Sequence, residues 1–214
     1  MATRLYLTNS TTPFTPTNNR GAWDQTTSAI IKYLGPAPGG AAATRGQAET
    51  STNTAFDVLL GRWVSDGAVA AGNLSGFMSW AVGFLESIST ADHFIHVHAY
   101  VTAGDTDTVR GTLLTDSIGA TELPTSATGT TELDKAITTV AVSAGDRIVV
   151  EIGYQSHNST ATSRTSTMNY GNTGTLDLTG GDTNVTTRPG WVQFSDPNHL
   201  FTAVSANERN VCAN

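Results

Sequence analysis

Gly145-Asp146-Arg147-Ile148-Val149-Val150-Glu151-Ile152-Gly153-Tyr154-Gln155 is the stretch that decides how the rest of the chain is read. A Gly-Asp turn pair opens directly into a β-branched run with two-residue alternation. Ile148, Val150, Ile152 and Tyr154 fall on one face; Arg147, Val149, Glu151 and Gln155 fall on the other. That is the pattern of a strand with one dry side and one mostly wet side. Its counterpart is Phe94-Ile95-His96-Val97-His98-Ala99-Tyr100-Val101, in which Ile95, Val97, Ala99 and Val101 share a face. The two runs are expected to be central strands of a β-sandwich, with the other strands finding their register against them.

Toward the amino end, Leu5 and Leu7 mark a short strand over residues 3–7, and Ala29 to Leu34 is a second apolar run. Between them lies a polar segment with Pro13, Pro16, Asn18 and Asn19, which carries Trp23 near its end. Gly35 to Ala43 has little to bury and no period, so it reads as a long loop or arm. Residues 1–48 are therefore expected to be an N-terminal arm or loop region. Phe56, Val58 and Leu60 alternate ahead of Trp63. Leu74 to Ile88 fits both periods, but Gly76 and Gly83 would each cost a helix about 1 kcal/mol against Ala, which favours a strand.

Gly104-Asp105-Thr106-Asp107 reads as a hairpin turn leading into Val109 to Leu114. Leu133 to Val142, Arg164 to Tyr170 and Trp191 to Phe194 are further strands, with Leu200-Phe201 joining an edge. The polar tail, residues 196–214, is expected to be a C-terminal arm. About ten short strands with frequent turns give an all-β fold, a jelly-roll-like antiparallel β-sandwich in one domain over residues 1–214, with extended terminal arms.

Hydrophobic residues make up 38% of the chain and charged residues 14%, so its polarity comes mainly from Thr, Ser, Asn and 21 Gly. The net charge is −7, with Lys32 and Lys135 the only lysines and the arginines spread singly. No basic stripe is available to neutralise phosphates or anionic lipid, so neither nucleic acid nor membrane is an expected partner. Cys212 is the sole cysteine, so stability is expected to come from burial rather than disulfides. Met1 to Tyr6 lacks the apolar core of a signal peptide, which predicts synthesis in the cytoplasm.

His96 and His98 lie two apart on one strand, so both imidazoles leave the same face. That spacing can serve a metal, with Asp92, His93 and Asp107 as further donors, or simply a polar outer face shared with Phe94 and Tyr100. The loops Gly104 to Asp107 and Gly180 to Asn184 offer oxygens to calcium but do not match the twelve-residue calcium loop. Cys212 sits on a polar tail with no histidine fixed beside it, and no nucleophile elbow, phosphate loop or dinucleotide fingerprint is present. Neither catalytic residue nor cofactor is expected. Trp23, Trp63 and Trp191, with Phe94 and Tyr100, are the candidates for an interface or a sugar-stacking surface, whereas Trp80 reads as core.

Gly104-Asp105-Thr106-Asp107-Thr108-Val109-Arg110-Gly111-Thr112-Leu113-Leu114, followed by Ala144 to Tyr154, resembles a group of tailed-bacteriophage virion proteins. Ala2 to Leu7 and Trp191 to Ser195 sit where that group has similar strands. The resemblance spans most of residues 2–195 and leaves out 35–48 and the tail. It implies a jelly-roll-like shell or tail component, made in the host cytoplasm and located in the virion, with no catalytic residues to carry over. The leading expectation is a capsid decoration or cement protein that contacts other virion proteins as a homo-oligomer, such as a trimer. The alternatives are a tail-associated receptor- or glycan-binding module and, third, a glycan-degrading enzyme.

Overall fold

Two-residue alternation becomes eleven strands in the computed structural model, which describes residues 2–27, 29–51, 55–160, 162–196 and 198–201. They are β1 (Ala2–Leu7), β2 (Ile30–Gly35), β3 (Ala43–Ala48), β4 (Phe56–Gly67), β5 (Gly72–Glu86), β6 (His93–Thr102), β7 (Val109–Glu122), β8 (Thr128–Val142), β9 (Arg147–Ser156), β10 (Thr165–Tyr170) and β11 (Trp191–Ser195). No helix occurs among the described residues. The hydrogen-bonded order is β3-β10-β5-β11-β1-β2-β4-β9-β6-β7, with β8 on the other edge of β5.

The sheet doubles over into two layers. Leu5, Met78, Trp80 and Phe84 from one layer share a hydrophobic cluster with Val58, Trp63, Val97 and Ile152 from the other. The two runs that set the reading are neighbours: β6 and β9 pair antiparallel from His93↔Ser156 to Thr102↔Arg147. The ambiguous stretch is a strand, because β5 has partners on both edges, β8 on one and β10 with β11 on the other.

Three expectations are corrected. Residues 1–48 are not an arm region: β1 lies between β11 and β2, Leu5 and Leu7 are buried, and β3 pairs with β10 over six residues. The segment 43–48 (Ala-Thr-Arg-Gly-Gln-Ala) pairs through its backbone, which needs no apolar side chains and so leaves no hydrophobic signature. The sandwich is not wholly antiparallel, since β2 and β4 run parallel from Ile30↔Gly61 to Leu34↔Ser65. A parallel pair requires a crossover, and the excursion through β3 supplies it. Leu200 and Phe201 form no edge strand but are buried in the main cluster. Of the expected C-terminal arm, residues 197 and 202–214 lie outside the described residues, and Cys212 with them.

β9 departs from its reading in a way that leads to the site. Ile148, Val150, Ile152 and Tyr154 are buried as expected, but so are Val149 and Glu151 on the face expected to be wet. Residues 10–27, which form no strand, cross that outer face as a strap.

Candidate functional site

The strap is shaped by prolines. Pro13 and Pro16 hold the backbone extended and offer no N–H, and each keeps the residue before it out of the helical region. The remaining backbone donors need acceptors, because the strap has no strand partner between Thr15 and Ala22. Carboxylates provide them. Thr15 N–H donates to Asp105 (2.7 Å), and the N–H groups of Thr17 and Asn18 both donate to Asp107 Oδ1 (2.6 and 2.9 Å). Arg20 and Gly21 N–H donate one to each oxygen of Glu151, both at 2.9 Å, and Ala22 N–H donates to Asp116 at 3.0 Å. Six backbone donors thus meet four carboxylates drawn from the β6–β7 turn, β7 and β9.

Side chains complete the attachment. Trp23 Nε1 donates to Glu151 at 2.6 Å, Tyr100 hydroxyl to Asn18 C=O at 2.8 Å, and Arg62 Nη1 to Asn19 Oδ1 at 2.8 Å. The Arg147 guanidinium lies 3.4 Å above the centre of the Phe14 ring. Two glycines permit the close approach. A Cβ on Gly21 would sit 2.5 Å from Trp23 Nε1, and one on Gly153 would sit 1.9 Å from Val58 C=O and 2.9 Å from the Trp23 ring.

Beneath Trp23 lies the histidine pair singled out by its spacing. The Trp23 and His96 rings are 4.1 Å apart. His96 Nδ1 faces Asp57 at 2.7 Å and its Nε2 faces Asp116 at 3.2 Å, while His98 Nδ1 faces the same Asp116 oxygen at 3.0 Å. Both nitrogens of His96 therefore meet carboxylates, and both contacts are hydrogen bonds when the ring carries two protons. Asp116 reaches them because β7 bulges: Val97 opposes Ser117 but Ala99 opposes Leu114, and Asp116 takes φ 36° within the extra residue. Burial pushes the Asp116 carboxyl up, yet Ala22 N–H and the imidazoles of His98 and His96 outweigh it and hold the acid below its ordinary value. Asp107 is likewise lowered, its slight burial overcome by the N–H groups of Asn18 and Thr17.

Both ring nitrogens of His96 and Nδ1 of His98 meet Asp57 or Asp116, and no group of three or more His, Cys, Asp or Glu among the described residues is arranged to hold an ion. The calcium-like loops serve the chain itself: Asp105 and Asp107 hold the strap, and Asp182 ties Asn184 and Arg188.

A second polar cluster joins β3's end, β6 and β10. Ser166 Oγ lies 2.8 Å from His93 Nδ1, and His93 Nε2 lies 3.1 Å from Glu49 Oε2. Glu49 also accepts from Asn158 Nδ2 and Arg164 N–H, both at 2.7 Å. Burial raises the Glu49 carboxyl, but His93, Asn158 and Arg164 bring it below its usual value. The composition is that of a Ser-His-acid triad, which no local spacing betrayed because its members are 117 residues apart, from Glu49 to Ser166. All three are sealed from solvent, with Tyr154 stacked 4.3 Å from the His93 ring, so a substrate has no path to Ser166 in this conformation.

The aromatic candidates separate by exposure. Trp63 is fully buried and donates to Thr8 C=O at 3.0 Å; Trp191 is buried and donates to Leu178 C=O at 2.8 Å. The expected interface or sugar-stacking role of these two is thereby corrected: each indole N–H has an internal partner and each ring lies in a packed layer. Trp80 is core, as its alternation indicated. Trp23 is half-buried in the strap, Tyr100 is buried beneath it, and Phe94 is half-exposed beside His157, 4.9 Å away. A groove of about 410 Å³ lies elsewhere, lined by Thr121, Glu122, Pro124, Thr128, Gly129 and Gly180 among others.

No protein-family model matches the chain, and no curated protein matches it. Among solved structures, one of the infectious bursal disease virus Gx strain aligns with 83% of this chain and 40% of its own, at 12% identity and a TM-score of 0.25. The chain thus spans well under half of that protein, and a likeness this slight carries no argument about role.

Proposed function

We propose that the chain is a structural protein of a tailed-bacteriophage virion, a capsid decoration or cement protein that works as a homo-oligomer, with a trimer the first state to test. The observation that carries this reading is where the chain's reactive groups are placed. Its imidazoles and most of its buried carboxylates hold segments of the same chain together, while the outward faces present Thr, Ser and Gly. Such short side chains lose little entropy when a neighbour covers them.

Two long strands offer edges for that contact. Among the described residues β7 pairs only with β6 and β8 only with β5, and the two approach where the Val140 side chain packs on Gly111, with no ladder between them. Both carry bulges, and β8 adds a Glu132–Lys135 ion pair at 3.1 Å, which discourages indiscriminate strand addition. Leu133 and Phe77, 64% and 49% exposed, lie on adjoining strands beside this edge. Burying them against another virion subunit stabilises the shell by adding interface and by mass action.

The test is addition of purified protein to shells that lack it, followed by thermal disruption and imaging. The expected result is bound copies at fixed lattice positions and a raised disruption temperature, with Leu133→Asp and Phe77→Asp together abolishing binding while the fold persists. A monomer that leaves shells unchanged would overturn the proposal. No catalytic role is proposed: a fluorophosphonate probe should leave Ser166 unlabelled, and host polysaccharide should yield no new reducing ends.

A further inference from the structure

We propose that the strap is an acid-released clasp: at neutral pH it closes the outer face of β4, β9, β6 and β7, and protonation of the carboxylates holding its backbone opens that face while the sandwich stays folded. From Thr15 to Ala22 the strap's attachment is mainly backbone N–H onto Asp105, Asp107, Glu151 and Asp116. An ionised carboxylate accepts several such bonds and makes them charge-assisted; a protonated one is a weaker acceptor and carries its own donor. The ladder bonds of the sandwich do not titrate. Among the described residues, bonds of that kind tie the strap to its neighbours only at its two ends: Tyr33 N–H reaches Ser10 C=O at one, and at the other Asp24 and Gln25 N–H reach Asp57 C=O and Leu59 N–H reaches Gln25 C=O.

Charged and titratable groups face the strap from every element beneath it. The β6–β7 turn gives Asp105 and Asp107; β7 gives Asp116; β9 gives Glu151 and Arg147, whose Nε is 3.4 Å from Asp105. β4 gives Asp57 and Arg62, β6 gives His96, His98 and Tyr100, and β2 gives Tyr33, whose ring lies 6.1 Å from that of Phe14. The strap itself brings Arg20, whose Nη2 donates to Asp107 C=O, and Asp24, which accepts from Asp57 N–H.

Asp107 and Asp116 both sit below their ordinary values when the strap is closed. A carboxylate lowered in this way contributes fully above its unfolded pKa, near 4, and loses that contribution as pH falls through the lower folded value. The clasp is therefore closed above about pH 5 and opens below about pH 4. Opening uncovers Glu151, Arg62, His98 and Tyr100, a polar face the neutral protein conceals.

Amide hydrogen exchange of the full chain between pH 7 and pH 3, expressed as protection factors so that intrinsic rates cancel, tests the proposal. Peptides covering residues 14–24 should lose protection at least tenfold below pH 4, while peptides from β9 keep theirs. Asp107→Asn, a change at the surface, should lower strap protection at pH 7 and flatten its pH dependence. Acrylamide quenching, with Trp23→Phe as the reference, should report Trp23 becoming accessible over the same range. Loss of protection in the strap and β9 at one pH, strap protection retained to pH 3, or an unchanged profile in Asp107→Asn would each overturn it.

Discussion

The two outer faces of the sandwich are finished in different ways. Over β4, β9, β6 and β7 the strap meets buried charge: Glu151, Asp57, Arg62, His96 and His98 are all nearly or fully hidden, with strap N–H groups donating to Glu151 and the side chains of His96 and Gln155 meeting Asp57. Over β1, β11, β5 and β8 the cover comes from the segment between β10 and β11 and is mainly apolar, with Ala81, Leu178, Val185 and Trp191 in a small cluster. Arg4 lies 3.9 Å over the Trp191 ring and pairs with Asp177 to hold that cover down. Beyond it the face is open, and Phe77 and Leu133 protrude. The difference teaches that burial by itself does not reveal how a surface is held. One cover depends on ionisation and the other on packing, so acid should distinguish them.

The largest effect is expected on the packed face. Trp191→Ala removes a buried ring and the hydrogen bond to Leu178, and should cost about 3–5 kcal/mol in urea unfolding while leaving the strap's pH profile intact. Glu151→Ala leaves three part-buried donors without their acceptor and should cost about 3 kcal/mol at pH 7. A loss under about 1 kcal/mol there would mean that the strap is not held by charge, and the contrast between the faces would fail. Gly21→Ala forces a Cβ against Trp23 and should cost about 1–3 kcal/mol, with the loss of protection confined to the strap.

A smaller effect belongs to the rim where β5 turns into β6. Burial, with Glu122 and Asp92 beside it, pushes the Glu86 carboxyl up to about 7 even though it accepts from His93 N–H. An acid raised on folding binds its proton more tightly in the native state, so the protein loses stability as pH rises from about 4.5 to 7 and is level above that. Glu86→Gln should abolish this loss and gain on the wild type between pH 5 and pH 8 in thermal melts. Least of all, Leu133→Ser on the open face should change stability by no more than about 0.5 kcal/mol, and any larger effect should appear in assembly.

Much of the fold was legible. Alternation identified β4, β6, β9 and β11 and told the core-facing side of β9 from its other side, because side-chain period follows directly from strand geometry, while the cost of Gly76 and Gly83 in a helix selected the strand for β5. β3 escaped notice because its contribution is backbone pairing, and β2's parallel partner could not be inferred from a short apolar run. The candidate site was half legible. His96 and His98 stood out by spacing, but Asp57, Asp116 and Glu151 looked like ordinary surface acids among twelve Asp and six Glu. The His93, Glu49 and Ser166 cluster had no signal at all, since three distant segments meet to form it.

What the amino-acid order settled by itself is the class of structure: a sparsely charged, Thr- and Gly-rich chain with two-residue periodicity makes strands that must hide one side. Only the tertiary structure decided what becomes of the other side. The strap docks through backbone N–H groups, which every residue except proline possesses, so its destination leaves no mark in residue type. The acids that receive it become recognisable only when the fold brings them into one row.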